Sequence, residues 1–469
     1  MNTSKFKVFL FPMSGHGHTI PFLSMALLFA KHGAGVSVIT TPKEASNLSK
    51  FVSDSQNADL DINFLTLTFP AQKAGLPEGV SHFDDADSFD MIQKLILGAS
   101  FLSSPLESIL EEHKPNCLVV DMFYPWSLAV AAKIGIPTVI FGGFSFFSSA
   151  AHECVRLYKP HLNVSDDDEP FVIPNFPGNI EMTRGTLPIP MMTENAFSKL
   201  IEDSKDAETK CNGVLMNSFY ELEPVYADHF RNELGRKAWH IGPLSLFNKS
   251  LDKKMKGEKG RESLRGDHEC LKWLDSKEPN SVIYVCFGSM VRFSPWQLRE
   301  IAEGLQNSGL NFIWVVRKCA NMEWLPESFE KKVEGRGMII NGWAPQVMIL
   351  EREAVGGFVT HCGWNSTLEG ICAGVPMVTW PLAAEQFFNE KLVTEILKVG
   401  VGVGVKRWGS ADVGSVALEK AMVRVMVGEE AQERRSRARE LAELATMAVE
   451  EGGSSFSDLR AFIDEFTVK

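Results

Sequence analysis

The chain has 469 residues, enough at about 100 to 200 residues per domain for two to four domains that each bury a core, so a disulfide-stapled miniprotein is excluded. Hydrophobic residues make up 45% and charged residues 23%, too apolar a balance for a disordered chain. The formal net charge of −12 repels polyanions, which argues against a nucleic-acid or anionic-membrane partner and leaves any phosphate to be bound by local devices such as helix N-termini.

From the N-terminus, MNTSKFKVFLFPM has an apolar stretch too short for a signal-peptide core and broken by Pro12. No later run reaches the ~18 apolar residues of a membrane span. KVFLFP reads as a buried strand. The turn MSGHGHTIP follows, then a helix over PFLSMALLFAKHG with Pro21 near its start and Gly33 at its end. CLVVD (117–121) is a strand, PWSLAVAAKIG a helix opened by Pro125, and IPTVIF the next strand, which completes a βαβ unit. The acidic run Asp166 to Glu169 reads as a solvated loop. Residues 245–267 lose apolar periodicity and become polar and Lys-rich, which marks a linker. Beyond it, SVIYVCFGS (281–289) is a strand, and Ser294, Pro295 and Gln297 form a capping-box start for a helix with Leu298, Ile301, Ala302 and Leu305 on one face. FIWVV, MII, GGFVT, VPMVTW and VGVGV are further short strands. The eight cysteines are scattered, form no CxxC pair and read as reduced core residues. With no export or membrane signal, the expectation is a cytoplasmic protein.

Strands alternating with amphipathic helices in both halves predict an α/β protein of two Rossmann-like, doubly wound domains facing each other across a cleft, with ligands at the carboxyl ends of the strands. The expected division is an N-terminal domain over 1–244, a linker over 245–267 and a C-terminal domain over 268–450. A final helix in 451–469 is expected to pack back on the N-terminal domain.

Chemistry-bearing residues collect at strand ends. Asp121 closes CLVVD, where a charge after four apolar residues is out of place in a core. His16 and His18 lie in the turn after the first strand, and either can meet Asp121 in a parallel sheet, giving a base and the carboxylate that orients it. In the second half GGFVT runs into His361, Cys362 and Gly363, and NSTLEGICAG then starts a helix. Its first-turn N–H groups, with the approach that Gly363 allows, suit a phosphate, and Asn365, Ser366 and His361 add donors. The glycines of GHGH do not complete a GxGxxG fingerprint, which argues against a dinucleotide-binding oxidoreductase.

The order of residues 343–386, WAPQVMILEREAVGGFVTHCGWNSTLEGICAGVPMVTWPLAAEQ, resembles the donor-binding box of plant family 1 UDP-sugar glycosyltransferases. The resemblance extends to GHTIP, VVDMFYPW, NSFYELEP, AWHIGPLSL, CLKWLDS, YVCFGS and FNEKLV, and is strongest to the branch that glucosylates flavonoids, other phenolics, triterpenoids and steroids. It implies a GT-B fold and selects His18, before TIP, as the base with Asp121. It implies that Trp343 stacks on the uracil, that Ala344 and Gln346 fix base and ribose, and that Glu369 takes the ribose hydroxyls. His361, Asn365, Ser366 and Ser289 would hold the pyrophosphate, and Trp364, Glu385 and Gln386 the sugar, with Gln at the last position going with glucose. Arg352 stands where the family usually has His. The implied activity is inverting O-glucosylation of a flavonoid or related phenolic from UDP-glucose, with a triterpenoid or steroid acceptor, C-glycosylation, or non-catalytic UDP-sugar binding as alternatives. No metal and no resident cofactor are expected, and the protein is expected to be a monomer. Among first-half aromatics, Phe89, Phe123, Tyr124 and Phe144 are candidate walls for a flat apolar acceptor, the alternative being that they are core.

Overall fold

The computed structural model describes residues 5–188, 191–247, 269–288, 291–317, 322–326 and 328–467. Ser289 and the linker from residue 248 onward lie outside these. The chain divides into two compact units, one of Met1–Phe146, Ile189–Met255 and Ala448–Lys469, the other of Phe147–Pro188 and Lys256–Met447.

In the first unit the strands β1 (Lys7–Phe11), β2 (Gly35–Thr40), β3 (Ile62–Thr66), β4 (Cys117–Asp121) and β5 (Thr138–Gly142) form a parallel sheet with two later strands. In the other unit a two-stranded antiparallel ribbon, β6 (Pro170–Val172) with β7 (Glu181–Thr183), stands apart. The first sheet is completed by β8 (Val214–Met216) and β9 (Ala238–His240), in the order β3-β2-β1-β4-β5-β8-β9. The order reverses between β1 and β4, and that switch point is where a doubly wound sheet opens a crevice at its carboxyl edge.

The helix after β1 runs from His16 to Lys31, beginning five residues before Pro21, so His18 sits in its first turn. The cause is local: Gly15 is extended, and its carbonyl accepts from the N–H groups of His18 (3.0 Å) and Thr19 (2.8 Å). Pro21 is the sixth residue of this helix, past the first turn, so it leaves out one i→i−4 bond, the one to the Gly17 carbonyl. The helix ends at Gly33, whose φ of +85° is a conformation glycine adopts without strain. The final helix, Ser454–Thr467, packs in the same unit: Phe462 lies 5.4 Å from Phe29 and 5.3 Å from Trp239, ring to ring. Asp458 on it accepts from the backbone N–H of His240 at 2.8 Å.

The second unit repeats the design. Its strands are β10 (Val282–Cys286), β11 (Asn311–Val316), β12 (Gly337–Asn341), β13 (Val355–Thr360), β14 (Met377–Thr379) and β15 (Gly400–Gly402), all parallel, in the order β12-β11-β10-β13-β14-β15. This is the Rossmann order, with its switch point between β10 and β13. The helix Pro295–Asn307 buries Leu298, Ile301, Ala302 and Leu305, about 1.5 to 3 kcal/mol for each large side chain taken from water. Ser294 caps it, accepting from the Gln297 N–H at 3.2 Å. The return half of the capping box is replaced: the Gln297 amide instead donates to the Val413 carbonyl (2.8 Å) and accepts from the Val413 N–H (2.9 Å). A tertiary partner with both a donor and an acceptor satisfies that buried amide better than one cap can.

Residues 147–188 group with this second sheet. Trp408 donates its backbone N–H to the Gly185 carbonyl at 2.7 Å, Arg407 pairs with Asp168, and Arg184 pairs with Asp167 at 2.6 Å. The acidic loop is therefore exposed but ion-paired. Arg352 lies against Asp275 at 3.3 Å on the surface of the same unit. Among the described residues, no helix is long and apolar enough to cross a membrane.

Candidate functional site

In the first unit, the switch point brings His18 and Asp121 together. His18 Nδ1 lies 2.7 Å from Asp121 Oδ2 across a separation of 103 residues. Asp121 is 1% exposed. Its other oxygen accepts the Phe123 backbone N–H at 3.1 Å. A carboxylate can only accept, so the proton of a neutral His18 resides on Nδ1 and the lone pair on Nε2. That is a base held in one tautomer and one orientation. His16 takes a different partner: its ring and its backbone N–H both meet the Asp84 carboxylate.

Aromatic side chains stand beside this pair. The Phe123 ring is 5.5 Å from the His18 ring and 6.2 Å from Phe197, and Phe89, 50% exposed, meets Phe197 edge-on at 6.5 Å. Phe197 was not among the candidates read from the sequence. The signal was there in the Asn195 cap, whose side chain accepts from the N–H groups of Phe197 and Ser198 at 2.9 and 3.0 Å and so starts a helix at Ala196. Phe144 is half-buried at the edge of the core. Tyr124 is 3% exposed, its ring 4.7 Å from Phe11 and 5.7 Å from Trp126, which is the core placement expected as the alternative for these aromatics. Alternation past the end of β4 does not reveal this, because the chain turns at Phe123 and points the next ring inward.

In the second unit, β13 ends at Thr360, and the helix Trp364–Cys372 begins after an extended Gly363 (φ −60°, ψ 138°). Between them Cys362 is held at φ +64°, a left-handed conformation that costs a non-glycine residue about 1 to 2 kcal/mol. The turn is fixed by Asn389, whose amide donates to the Cys362 carbonyl at 2.9 Å and to the Glu385 carboxylate at 3.0 Å. The result places the first-turn N–H groups of the helix at the strand end, where a helix start suits an anion.

His361 is wedged between two glycines. A Cβ built on Gly363 would fall 2.4 Å from its Nε2, and one on Gly288 would fall 2.9 Å from its Cε1. Burial pushes the imidazole down to about 4, so at neutral pH it offers an N–H and not a positive charge. Its buried Nδ1 has no hydrogen-bond partner among the described residues.

Around the same helix start, the Gln346 amide donates to the Ser366 hydroxyl at 2.9 Å and to the Glu369 carboxylate at 2.7 Å. Ala344 beside it is buried, whereas Trp343, following Gly342 at φ +119°, is 53% exposed and offers a flat apolar face. Asn365 is half-buried on the first helical turn. The Gln386 carbonyl accepts the backbone N–H groups of Leu382 and Ala383, both at 2.8 Å, which leaves its NH₂ as the group for a ligand. Trp364 opens the helix with its side chain 2% exposed.

The arrangement provides, in one unit, an oriented base with aromatic neighbours, and in the other a neutral anion site flanked by a carboxylate, amides and an indole platform. The sequence model of the family described as UDP-glucoronosyl and UDP-glucosyl transferase matches residues 233–434. The chain is 50% identical over 470 residues to the UDP-glucose flavonoid 3-O-glucosyltransferase 7 of Fragaria ananassa, covering 98% of this chain and 95% of that protein. It is 48% identical to the scopoletin glucosyltransferase of Nicotiana tabacum, covering 98% and 97%. The structure of Glycyrrhiza uralensis UGT73P12 complexed with glycyrrhetinic acid 3-O-monoglucuronide superposes with a TM-score of 0.90 at 39% identity, covering 99% and 96%. That of Medicago truncatula UGT71G1 complexed with UDP-glucose gives 0.83 at 27% identity, covering 99% of each chain.

Proposed function

The chain belongs to the UDP-glucoronosyl and UDP-glucosyl transferase family, as identities of 50% and 48% over nearly the full length of plant members show, and from that premise we propose that this UDP-glycosyltransferase is an inverting O-glucosyltransferase using UDP-glucose on a hydroxyl of a flavonoid or related phenolic. The observation that carries the proposal is the 2.7 Å contact of His18 Nδ1 with buried Asp121 at the switch point of the first sheet. His18 Nε2 removes the acceptor's proton and the freed oxygen attacks the anomeric carbon of the α-linked donor. The bond to the UDP oxygen breaks, with inversion, to a β-glucoside. Asp121 supports the imidazolium that forms. The departing diphosphate is met by the helix terminus at Trp364–Cys372 and by the donors of His361, Asn365 and Ser366. Trp343 provides the base platform, and Gln346 with Glu369 the ribose contacts.

Mass spectrometry of products from a pool of phenolics incubated with UDP-glucose tests this reading, with a β-glucoside of a phenolic hydroxyl as the expected product. A triterpenoid acceptor is the second reading, favoured by the similarity to the glycyrrhetinic-acid-derivative complex, and the same pool spiked with triterpenoids decides between them.

We propose no resident cofactor and no metal in the reaction, because a helix N-terminus and three side-chain donors meet the leaving group's charge. Activity is therefore expected to survive excess chelator. A loss restored only by magnesium or manganese would overturn this.

UDP-glucose is the expected best donor by kcat/KM. Gln386→Ala removes the sugar-facing NH₂ together with the acceptor for two backbone N–H groups, so it confounds recognition with loop geometry. Gln386→Glu keeps the acceptor oxygens and replaces only the NH₂. It is expected to raise the KM for UDP-glucose about tenfold, the scale of one lost hydrogen bond, while UDP inhibition stays within about twofold. Equal losses for UDP and UDP-glucose would refute the assignment.

A further inference from the structure

From the meeting of His16, His82 and Asp84 in the first unit, we infer that the chain has a zinc-class divalent-ion site, separate from the transfer chemistry, whose occupation restrains the loop next to the turn that carries His18. One ligand atom from each of the three residues lies within 4.8 Å of the others. His16 opens the helix His16–Lys31, and Asp84 lies in the short turn Phe83–Asp85 that follows His82. The loop is already held against the turn after β1: the Phe83 N–H donates to the Ser14 carbonyl at 2.7 Å, and the His16 N–H donates to Asp84 at 3.2 Å. His16 Nδ1 meets the Asp84 carboxylate and His82 Nδ1 lies 3.8 Å from the same oxygen, so both rings turn a nitrogen toward it, although His82 Nδ1 also accepts the Asp84 backbone N–H at 3.3 Å. His82 and Asp84 are largely buried and thus pre-positioned, while exposed His16 gives an ion its entry.

Two imidazoles and one carboxylate are a donor set suited to zinc and neighbouring divalent ions, and unsuited to magnesium or calcium, which prefer all-oxygen shells. Ligand bonds of about 2.0 to 2.2 Å place tetrahedral donors roughly 3.4 Å apart. Bringing the three donors from within 4.8 Å of one another to that spacing requires side-chain movement, and the fourth place is left for water. His82 and Asp84, two residues apart on the loop, would then be tied to the first turn of the helix two residues before His18. The glucosyl transfer does not need this ion, so the inference stands whether or not the proposed acceptor class is right.

Calorimetric titration of the metal-free, tag-free full chain with zinc chloride is the test. The expected result is one saturable site, with affinity at least tenfold weaker in each of His82→Ala and Asp84→Asn, and no comparable site for magnesium. Zinc should slow amide hydrogen exchange in residues 82–88 of the wild type and not in either variant. Thermal midpoints without metal show whether the variants fold, and His16→Ala, altered at an exposed side chain, provides a third substitution if one of them does not. Absence of saturable zinc binding to the wild type, or binding and exchange protection unchanged in all folded variants, would overturn the inference.

Discussion

His18→Ala is expected to lower turnover by about 10² to 10⁴, more for an alcohol than for an acidic phenol, with the affinity for UDP unchanged. An unactivated hydroxyl is a poor nucleophile near neutral pH, and the donor residues are not altered by the change. Asp121→Asn is expected to be nearly as damaging, for a reason the geometry makes specific. One carboxylate oxygen accepts from the Phe123 N–H and the other faces His18 Nδ1. An asparagine that keeps the first contact through its oxygen must present its NH₂ to His18. That group donates, so Nδ1 must accept, the ring proton moves to Nε2, and the nitrogen facing the acceptor loses the lone pair that makes it a base. The double variant should be little worse than His18→Ala alone, because the pair acts as a unit. His16→Ala should retain most activity, since His16 pairs with Asp84. Turnover and thermal midpoint measured together check this. A dead, well-folded His16→Ala beside an active His18→Ala would show the wrong histidine had been assigned.

Gly363→Ala is expected to weaken UDP and UDP-glucose binding by about 10- to 150-fold, with little change in fold stability. The backbone at Gly363 (φ −60°, ψ 138°) is one alanine adopts readily, so no conformational strain is introduced. The added methyl would lie 2.4 Å from His361 Nε2. The imidazole must move, and its donor is lost to the diphosphate along with the close approach of the backbone. One hydrogen bond to a charged group contributes about 1.5 to 3 kcal/mol, which is the fold-change stated. Titration of UDP against the wild type and Gly363→Ala, with thermal midpoints as control, measures it. Unchanged UDP affinity would remove His361 and Gly363 from the phosphate site.

The alternation of strands and helices was legible because it is written locally: apolar runs such as CLVVD and VIYVC, caps such as Ser294 and breakers such as Gly33 depend on neighbours in sequence. The same holds for the turn from GGFVT into HCG and for the carboxylate closing β4, since a charge after a buried strand must face an edge. Chain pattern was weaker where a residue's role depends on a partner far along the chain. Gln297 looked like half of a capping box until Val413 offered it two bonds. Tyr124 follows the end of β4, yet its ring packs on Phe11, more than a hundred residues earlier in the chain. The grouping of residues 147–188 with the second sheet, the contact of Phe197 with Phe123 and Phe89, and the approach of His82 and Asp84 to His16 are likewise long-range. The sequence by itself determined two parallel α/β sheets, the family and the residue types at the strand ends. Only the tertiary structure decided which aromatic rings remain outside the core, which carboxylate His16 meets and how tightly His361 is walled by glycines, because packing between elements distant in the chain has no periodic signature along it.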